Sequence, residues 1–413
     1  MYKVLLIIAT LLCVASTSAQ TTLEEYTAQV IEYNIPLQQA SLAIEAAEAD
    51  LRRLNKGQLP AILFNRSATI NLRHSTTERR VGWGTSLEAQ QLIYGGGSVR
   101  AAIKSGRCEL ELKQLEEQMR HRDVVLSAQQ AYWQLSHATE YRLSIEEYVG
   151  IIAQLREVIE HRYKEGYSPK GDLLQIEARL SDAEYLQSEA EQAYLISLHN
   201  YNSLCGNRLD RTTTLRESIL DNIALPERDT REELCESHPE WQMATLRSEI
   251  ARWAVRSTNA PFLPEIRLNI FGNMQPSTLD KQSSKISFGG GATIDFRTPI
   301  FHFGERRVAV AAAESRQLIS EVELEAIEDR ILLEEQDAWT NILHTLARVE
   351  TSARSLEIAR ENLEISTYAY NEGRTTIVDV MQAQISWLQS YRNMLTAHYD
   401  YAIAIAEYRW IVG

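Results

Sequence analysis

Two aspartates in equivalent settings are the first candidates for chemistry. Asp172 follows Gly166-Tyr167-Ser168-Pro169-Lys170-Gly171, and Asp379 follows Gly373-Arg374-Thr375-Thr376-Ile377-Val378. A carboxylate at a helix start favours the exposed backbone N–H groups and the positive end of the helix dipole, by roughly 0.3–1 kcal/mol. His137 and His344 also occupy equivalent positions; a metal ring is conceivable there, though duplication alone accounts for the recurrence. The run Gly95-Gly96-Gly97 lacks the Gly-Lys-Ser/Thr ending and the parallel-strand context of a nucleotide cradle. It suits a place where a tilted strand must become a helix. With no His-Glu-x-x-His, no nucleophile elbow and no Cys/His cluster, the sequence points to no catalytic residue, no metal site and no cofactor.

These positions belong to a duplicated half-molecule. Tyr163, Glu165, Gly166, Asp172, Gln175, Tyr194, Tyr201 and Gly206 reappear without a gap as Tyr370, Glu372, Gly373, Asp379, Gln382, Tyr401, Tyr408 and Gly413. Upstream, Ile93, Gly97, Arg100 and His137 recur as Ile300, Gly304, Arg307 and His344. A repeat this large is not one turn of a solenoid, whose periods run roughly 20 to 50 residues.

The elements that position these residues alternate between two periodicities. Two proline-free tracts rich in Glu, Gln, Leu, Ala and Arg, about 99–163 and 305–370, predict helices close to 100 Å long at about 1.5 Å per residue. Helices of that length with an apolar stripe predict coiled-coil-like packing. Shorter helices are expected over about 22–57 and 172–205 in the first half, and over about 231–258 and 378–412 in the second. Residues 207–230 read as an irregular connector, so the repeats span 20–206 and 231–413. Between helices the period falls to two. Strands are expected at about 60–74 and 81–92, then 264–274 and 286–298, paired within each half through polar loops near 74–80 and 273–285. Ile62, Phe64, Ala68 and Ile70 fall on one face, with Arg66 the exception, against Asn65, Ser67, Thr69 and Asn71 on the other; Ile266, Leu268 and Ile270 oppose Arg267 and Asn269 in the same way.

The N-terminus, with Lys3, an apolar run from Val4 to Val14 and Thr17 and Ala19 before the cut, predicts a secretory signal over 1–19. The chain carries a formal net charge of −14, and losing Lys3 with no acid makes the mature form one unit more negative. Such acidity argues against nucleic-acid partners. Cys108, Cys205 and Cys235 are too sparse for a disulfide framework. Past the signal no apolar stretch could span a bilayer as a helix, so a membrane would be entered by strands. Strands of this length with a polar face fit a transmembrane barrel. Four cannot close one around a pore, whereas three copies would supply twelve and leave no open edge in lipid.

The segments Tyr370-Asn371-Glu372-Gly373-Arg374-Thr375-Thr376-Ile377-Val378-Asp379-Val380, Ile93-Tyr94-Gly95-Gly96-Gly97 and Pro299-Ile300-Phe301-His302-Phe303-Gly304 resemble the TolC family of outer-membrane efflux proteins. The resemblance implies a homotrimer in a Gram-negative outer membrane, with a twelve-stranded β-barrel on a mainly α-helical periplasmic tunnel. It implies a passive duct for tripartite efflux or type I secretion, docked to a periplasmic adaptor and an inner-membrane pump of the RND, ABC or MFS type, with no enzyme activity. Asp379 matches an aperture aspartate and Tyr370 a linking tyrosine, with Asp172 and Arg374 beside them. Gln382 stands where well-known members carry a second acid, and Thr375 where they carry an arginine. The turns holding Gly166, Tyr167, Ser168, Pro169 and Gly171, and Gly373, Thr375, Thr376 and Ile377, would meet the adaptor. Gly95, Gly96, Gly97, Pro299 and Gly304 would form the strand-to-helix junctions. The rival class is a soluble periplasmic coiled-coil scaffold, which would have no reason to expose Ile62, Phe64, Ile294 and Phe296.

Overall fold

The computed structural model describes residues 20–70, 81–228, 231–276 and 286–413. The expected signal segment, the loop at 74–80 and most of the loop at 273–285 lie outside these residues. The first half contains α1 (Leu23–Tyr33), α2 (Ile35–Lys56), β1 (Ala61–Ile70), β2 (Val81–Gly95), α3 (Ser98–Lys164) and α4 (Lys170–Leu204). The second contains α5 (Arg231–Ser237), α6 (Pro239–Asn259), β3 (Glu265–Pro276), β4 (Ile286–Arg297), α7 (Glu305–Asn371) and α8 (Ile377–Val412). The long helices α3 and α7 have 67 residues each.

Two helices expected to be continuous are broken, each next to a proline. The 22–57 stretch divides at Asn34, whose Oδ1 accepts the Leu37 N–H at 3.0 Å. The 231–258 stretch divides at His238, whose Nδ1 accepts the Glu240 N–H at 3.2 Å. Pro36 and Pro239 then sit in a first turn, where the missing N–H has no intrahelical partner to lose. A third correction concerns Gln275 and Pro276, expected in a loop: they continue β3, pairing as far as Pro276 with Ile286.

The chain forms two compact units. One, comprising residues 39–118 and 236–329, holds a single antiparallel sheet ordered β1-β2-β3-β4. Pairing within each half places Phe64 opposite Leu87 and Leu268 opposite Ile294. The sheet also joins the halves, since β2 pairs with β3 through Ala89 and Ile270, with a register shift between Leu92 and Tyr94. Among the described residues neither β1 nor β4 has a second neighbouring strand. At the β2–α3 junction, Gly96 (φ +62°) comes so close to Ala260 that a Cβ would lie 2.4 Å from its carbonyl oxygen, so only glycine fits.

The other unit, with residues up to Gln38, 119–235 and 330–413, packs helices around duplicated aromatic contacts. Tyr132 meets Tyr201 in the first half (centroids 6.4 Å apart), and Trp339 meets Tyr408, the equivalent pair, in the second (5.4 Å). Tyr26 stacks on Tyr201 at 3.9 Å and donates its hydroxyl to the Tyr201 carbonyl at 3.0 Å. The irregular connector is tied to both halves. The Glu217 carboxylate accepts from the Tyr132 hydroxyl and the Leu23 N–H, Ile219 N–H donates to Ser136 Oγ, and Tyr401 donates to the Ile223 carbonyl. Arg228 forks onto the Glu335 carboxylate at 2.8 and 2.9 Å. Cys108 and Cys205 are free thiols.

Candidate functional site: strand faces and helical tips

The sheet carries two chemically opposed faces. On one, Ile62, Phe64, Ile294 and Phe296 are 72%, 68%, 71% and 64% exposed, a stripe of large apolar side chains left uncovered by the described residues. On the other, Asn65, Ser86 and Gln90 donate to the Glu88 carboxylate, and Asn269 and Thr293 donate to Asp295. Leaving the apolar stripe in water forfeits roughly 1.5–3 kcal/mol per large side chain relative to burial, whereas lipid reverses the sign. A soluble scaffold gains nothing from this arrangement. Among the described residues no helix is long and apolar enough to cross a membrane.

The two helical tips share one backbone design. At the end of α3, Gly166 N–H donates to the Tyr163 carbonyl at 3.0 Å and Tyr167 N–H to the Arg162 carbonyl at 2.8 Å. At the end of α7, Gly373 and Arg374 repeat this onto Tyr370 and Ala369 with the same lengths. Gly166 (φ +82°) and Gly373 (φ +72°) supply the left-handed residue that this closing motif requires.

After the glycines the tips diverge. The Asp379 carboxylate accepts from Thr375 Oγ1 at 2.6 Å, Thr376 Oγ1 at 2.7 Å and the Thr376 N–H at 3.0 Å. Those bonds, from Thr375 first and then Thr376, hold its carboxyl well below the usual range, at about 2. At the first tip the N-cap is Pro169, which has neither hydroxyl nor N–H, and makes no side-chain cap. The Asp172 N–H donates to the Pro169 carbonyl at 3.1 Å, but its carboxylate consequently accepts no hydrogen bond from a described residue, although its position in the helix matches that of Asp379. Tyr370 is 5% exposed; its ring lies in an apolar cluster with Ile159, Ile176 and Val380, and its hydroxyl is buried without a hydrogen-bond partner among the described residues. Arg374 and Gly171 are exposed, as are Ser168's neighbours Tyr167 and Pro169's follower Lys170, while Ile377 is buried.

Arg162 is the tip residue that sequence reasoning missed. Its Nη2 donates to the Asn371 carbonyl at 3.0 Å and its Nη1 to the Tyr370 carbonyl at 3.4 Å, with the guanidinium 5.0 Å from the Tyr370 ring centroid. The signal available was a cation in a last helical turn whose equivalent in the second half, Ala369, is uncharged. His137 is packed against Tyr399 and Tyr141, and burial lowers its pKa; His344 is exposed. No group of three or more His, Cys, Asp or Glu that could hold a metal occurs among the described residues.

A sequence profile for outer membrane efflux proteins matches residues 27–207 and 230–413, one segment for each half. The chain belongs to the outer membrane efflux protein family. Among curated relatives, the outer membrane protein TolC of Vibrio cholerae serotype O1 is 18% identical over 297 residues, covering 70% of this chain and 67% of the relative. The crystal structure of CusC superposes with a TM-score of 0.83 at 18% identity, covering 96% of this chain and 92% of that one. VceC of Vibrio cholerae gives 0.81 at 20% identity (95% and 96%), and the outer-membrane channel OprN 0.83 at 19% (95% and 89%). The fold is therefore that of the outer-membrane channels, mostly helical with duplicated halves and few strands. As a member of this efflux family, the protein acts in the outer membrane and extends into the periplasm, and its relatives are ducts rather than enzymes.

Proposed function

We propose that the protein is the passive outer-membrane duct of a tripartite efflux or type I secretion machine, assembled as a homotrimer and doing no bond chemistry. The observation that carries this reading is the open four-stranded sheet, largely apolar on one face and polar on the other, with both edge strands unpaired among the described residues. In lipid, unpaired backbone groups are too costly to leave, and pairing β4 of one copy with β1 of the next removes every edge at twelve strands. The Glu88 and Asp295 networks would then line a wet, acidic lumen. The exposed Leu333, Leu343, Ile358 and Ile365 of α7 would be covered by neighbouring helices of the trimer.

The tips serve as both gate and dock. Tyr370 and Arg374, with the Asp379 and Asp172 carboxylates, hold the periplasmic entrance closed. Asp379 acts by organising its own turn, and Asp172 supplies the carboxylate free to meet cations. Tyr167, Leu174 and Val378 are exposed apolar residues beside the turns, suited to a helical adaptor hairpin. Adaptor binding shifts the tips from closed to open populations, and an RND, ABC or MFS-type pump supplies the energy. Purified protein in planar bilayers tests this: Tyr370→Phe combined with Arg374→Ser should raise single-channel conductance, and unchanged conductance would move the gate elsewhere.

A further inference from the structure

Where β2 becomes α3, Gln91–Gly95 and the first turns of α3 enclose a cleft of about 830 Å³, within the range of about 300–1,000 Å³ common to ligand pockets. Its walls are apolar and aromatic, with Leu92, Val99 and buried Ile103 inside and Ile93 and Tyr94 exposed at the lip. Arg100, Lys104 and Arg107 line it at spacings of four and three, which puts all three on one face of the helix. None of the three makes a hydrogen bond or ion pair with a described residue. Three cations lining one cleft stand out in a chain of net charge −14.

Duplication provides the comparison. The second half has a cleft of about 750 Å³ at the equivalent junction, lined by Gly304, Arg307, Val310, Ala311 and Glu314. These correspond to Gly97, Arg100, Ile103, Lys104 and Arg107. The cavity is thus a consequence of turning a strand into a helix, but the charge is not. One cation is kept, one is lost and one is replaced by an acid. Of the other two arginines there, Arg306 donates to Asn259 at 2.9 Å and Arg256 lies over the Trp253 ring.

We infer that the first cleft binds an anionic phospholipid of the periplasm-facing leaflet, its phosphate held by Arg100, Lys104 and Arg107 and its upper acyl chain lying along Ile93 and Tyr94. The location supports a lipid over a free phosphate. The cleft sits where a membrane strand ends and a periplasmic helix starts, the depth at which tyrosines and snorkelling cations meet headgroups. The first turn of α3 adds the positive end of its dipole to the same wall. This reading rests on placement in the outer membrane and is independent of the gate.

The test is native mass spectrometry of the detergent-solubilised full-length protein titrated with dioleoylphosphatidylglycerol or dioleoylphosphatidylcholine. One phosphatidylglycerol per chain is expected to bind with clear preference over phosphatidylcholine. Each cation is worth roughly fivefold near a headgroup, so R100Q/K104Q/R107Q should weaken binding by about a hundredfold. The exposed-site single variants R100Q and R107Q, each expected to lose about fivefold, keep the test open if the triple variant fails to fold. R307Q, in the second cleft, should change little. Equal binding of the two lipids, an R307Q loss matching that of R100Q, or displacement of phosphatidylglycerol by millimolar inorganic phosphate would overturn the inference. So would a preference for lipopolysaccharide, the lipid of the opposite leaflet.

Discussion

Arg162, in the last turn of α3, donates to the carbonyl of Asn371, the last residue of α7, at 3.0 Å. This contact joins the ends of the two long helices across 209 residues of sequence, and it satisfies carbonyls that a helix terminus otherwise leaves open. Arg162→Ala should therefore loosen the second tip. Single-channel recordings are expected to show higher conductance or more frequent opening, with Arg162→Lys recovering part of the closed behaviour, because an ammonium keeps the charge but not the fork. Recordings of Arg162→Ala that match wild type would remove this contact from the gate.

Asp379 predicts a pH dependence of definite sign. Its folded carboxyl titrates at about 2, below the roughly 3.9 of an unfolded aspartate. The start of α8 should therefore have its full support above about pH 4 and lose it as pH falls through about 2. Hydrogen exchange of peptides covering 372–382, corrected for intrinsic rates, should be flat at higher pH and rise on acidification. Asp379→Ala should exchange fast throughout. An acid-independent wild type would show that the threonine bonds do not anchor this turn.

The Tyr26–Tyr201 stack sets a larger stability effect. Truncating a buried aromatic typically costs about 3–5 kcal/mol, whereas losing only a hydroxyl bond costs about 0.5–1.5 kcal/mol. Tyr26→Ala should lower the thermal midpoint of the helical signal far more than Tyr26→Phe. Equal shifts for the two variants would locate the energy in the hydroxyl bond to the Tyr201 carbonyl rather than in the ring.

The two faces of the sheet should respond oppositely to charge. Phe64→Arg or Ile294→Arg, on the apolar stripe, should reduce folded protein in the membrane, since a cation at mid-bilayer depth costs about 2–4 kcal/mol. Asn65→Arg, on the polar face, should fold and shift ion selectivity instead. The same preparations analysed by native mass spectrometry should contain three copies, and a stable monomer or dimer would contradict the twelve-strand reading.

Orientation is open to a direct test. Tags inserted within 74–80 or 277–285 should be labelled on intact cells by reagents that do not cross the outer membrane. Labelling that requires a broken membrane would reverse the direction of the strands or remove them from the bilayer.

Much of this protein was legible from local pattern. The 207-residue offset, the long proline-free tracts and the switch from a period of 3.6 to one of 2 are properties of neighbouring residues. They suffice to place α3, α7 and the strand faces, because a helix or strand exposes its buried side at a fixed spacing wherever it lies. The paired tip glycines were readable for the same reason, since a left-handed position demands glycine locally. The pairing of β2 with β3, the Arg162 grip on α7 and the connector bonds through Glu217 and Arg228 were not. Each joins residues far apart in the chain, and which distant donor meets which acceptor is settled only when the helices and strands pack. The unequal fates of Asp172 and Asp379 show both levels at once. Sequence puts a proline before one and two threonines before the other, while only the folded turn brings those threonine hydroxyls within 2.7 Å of the carboxylate.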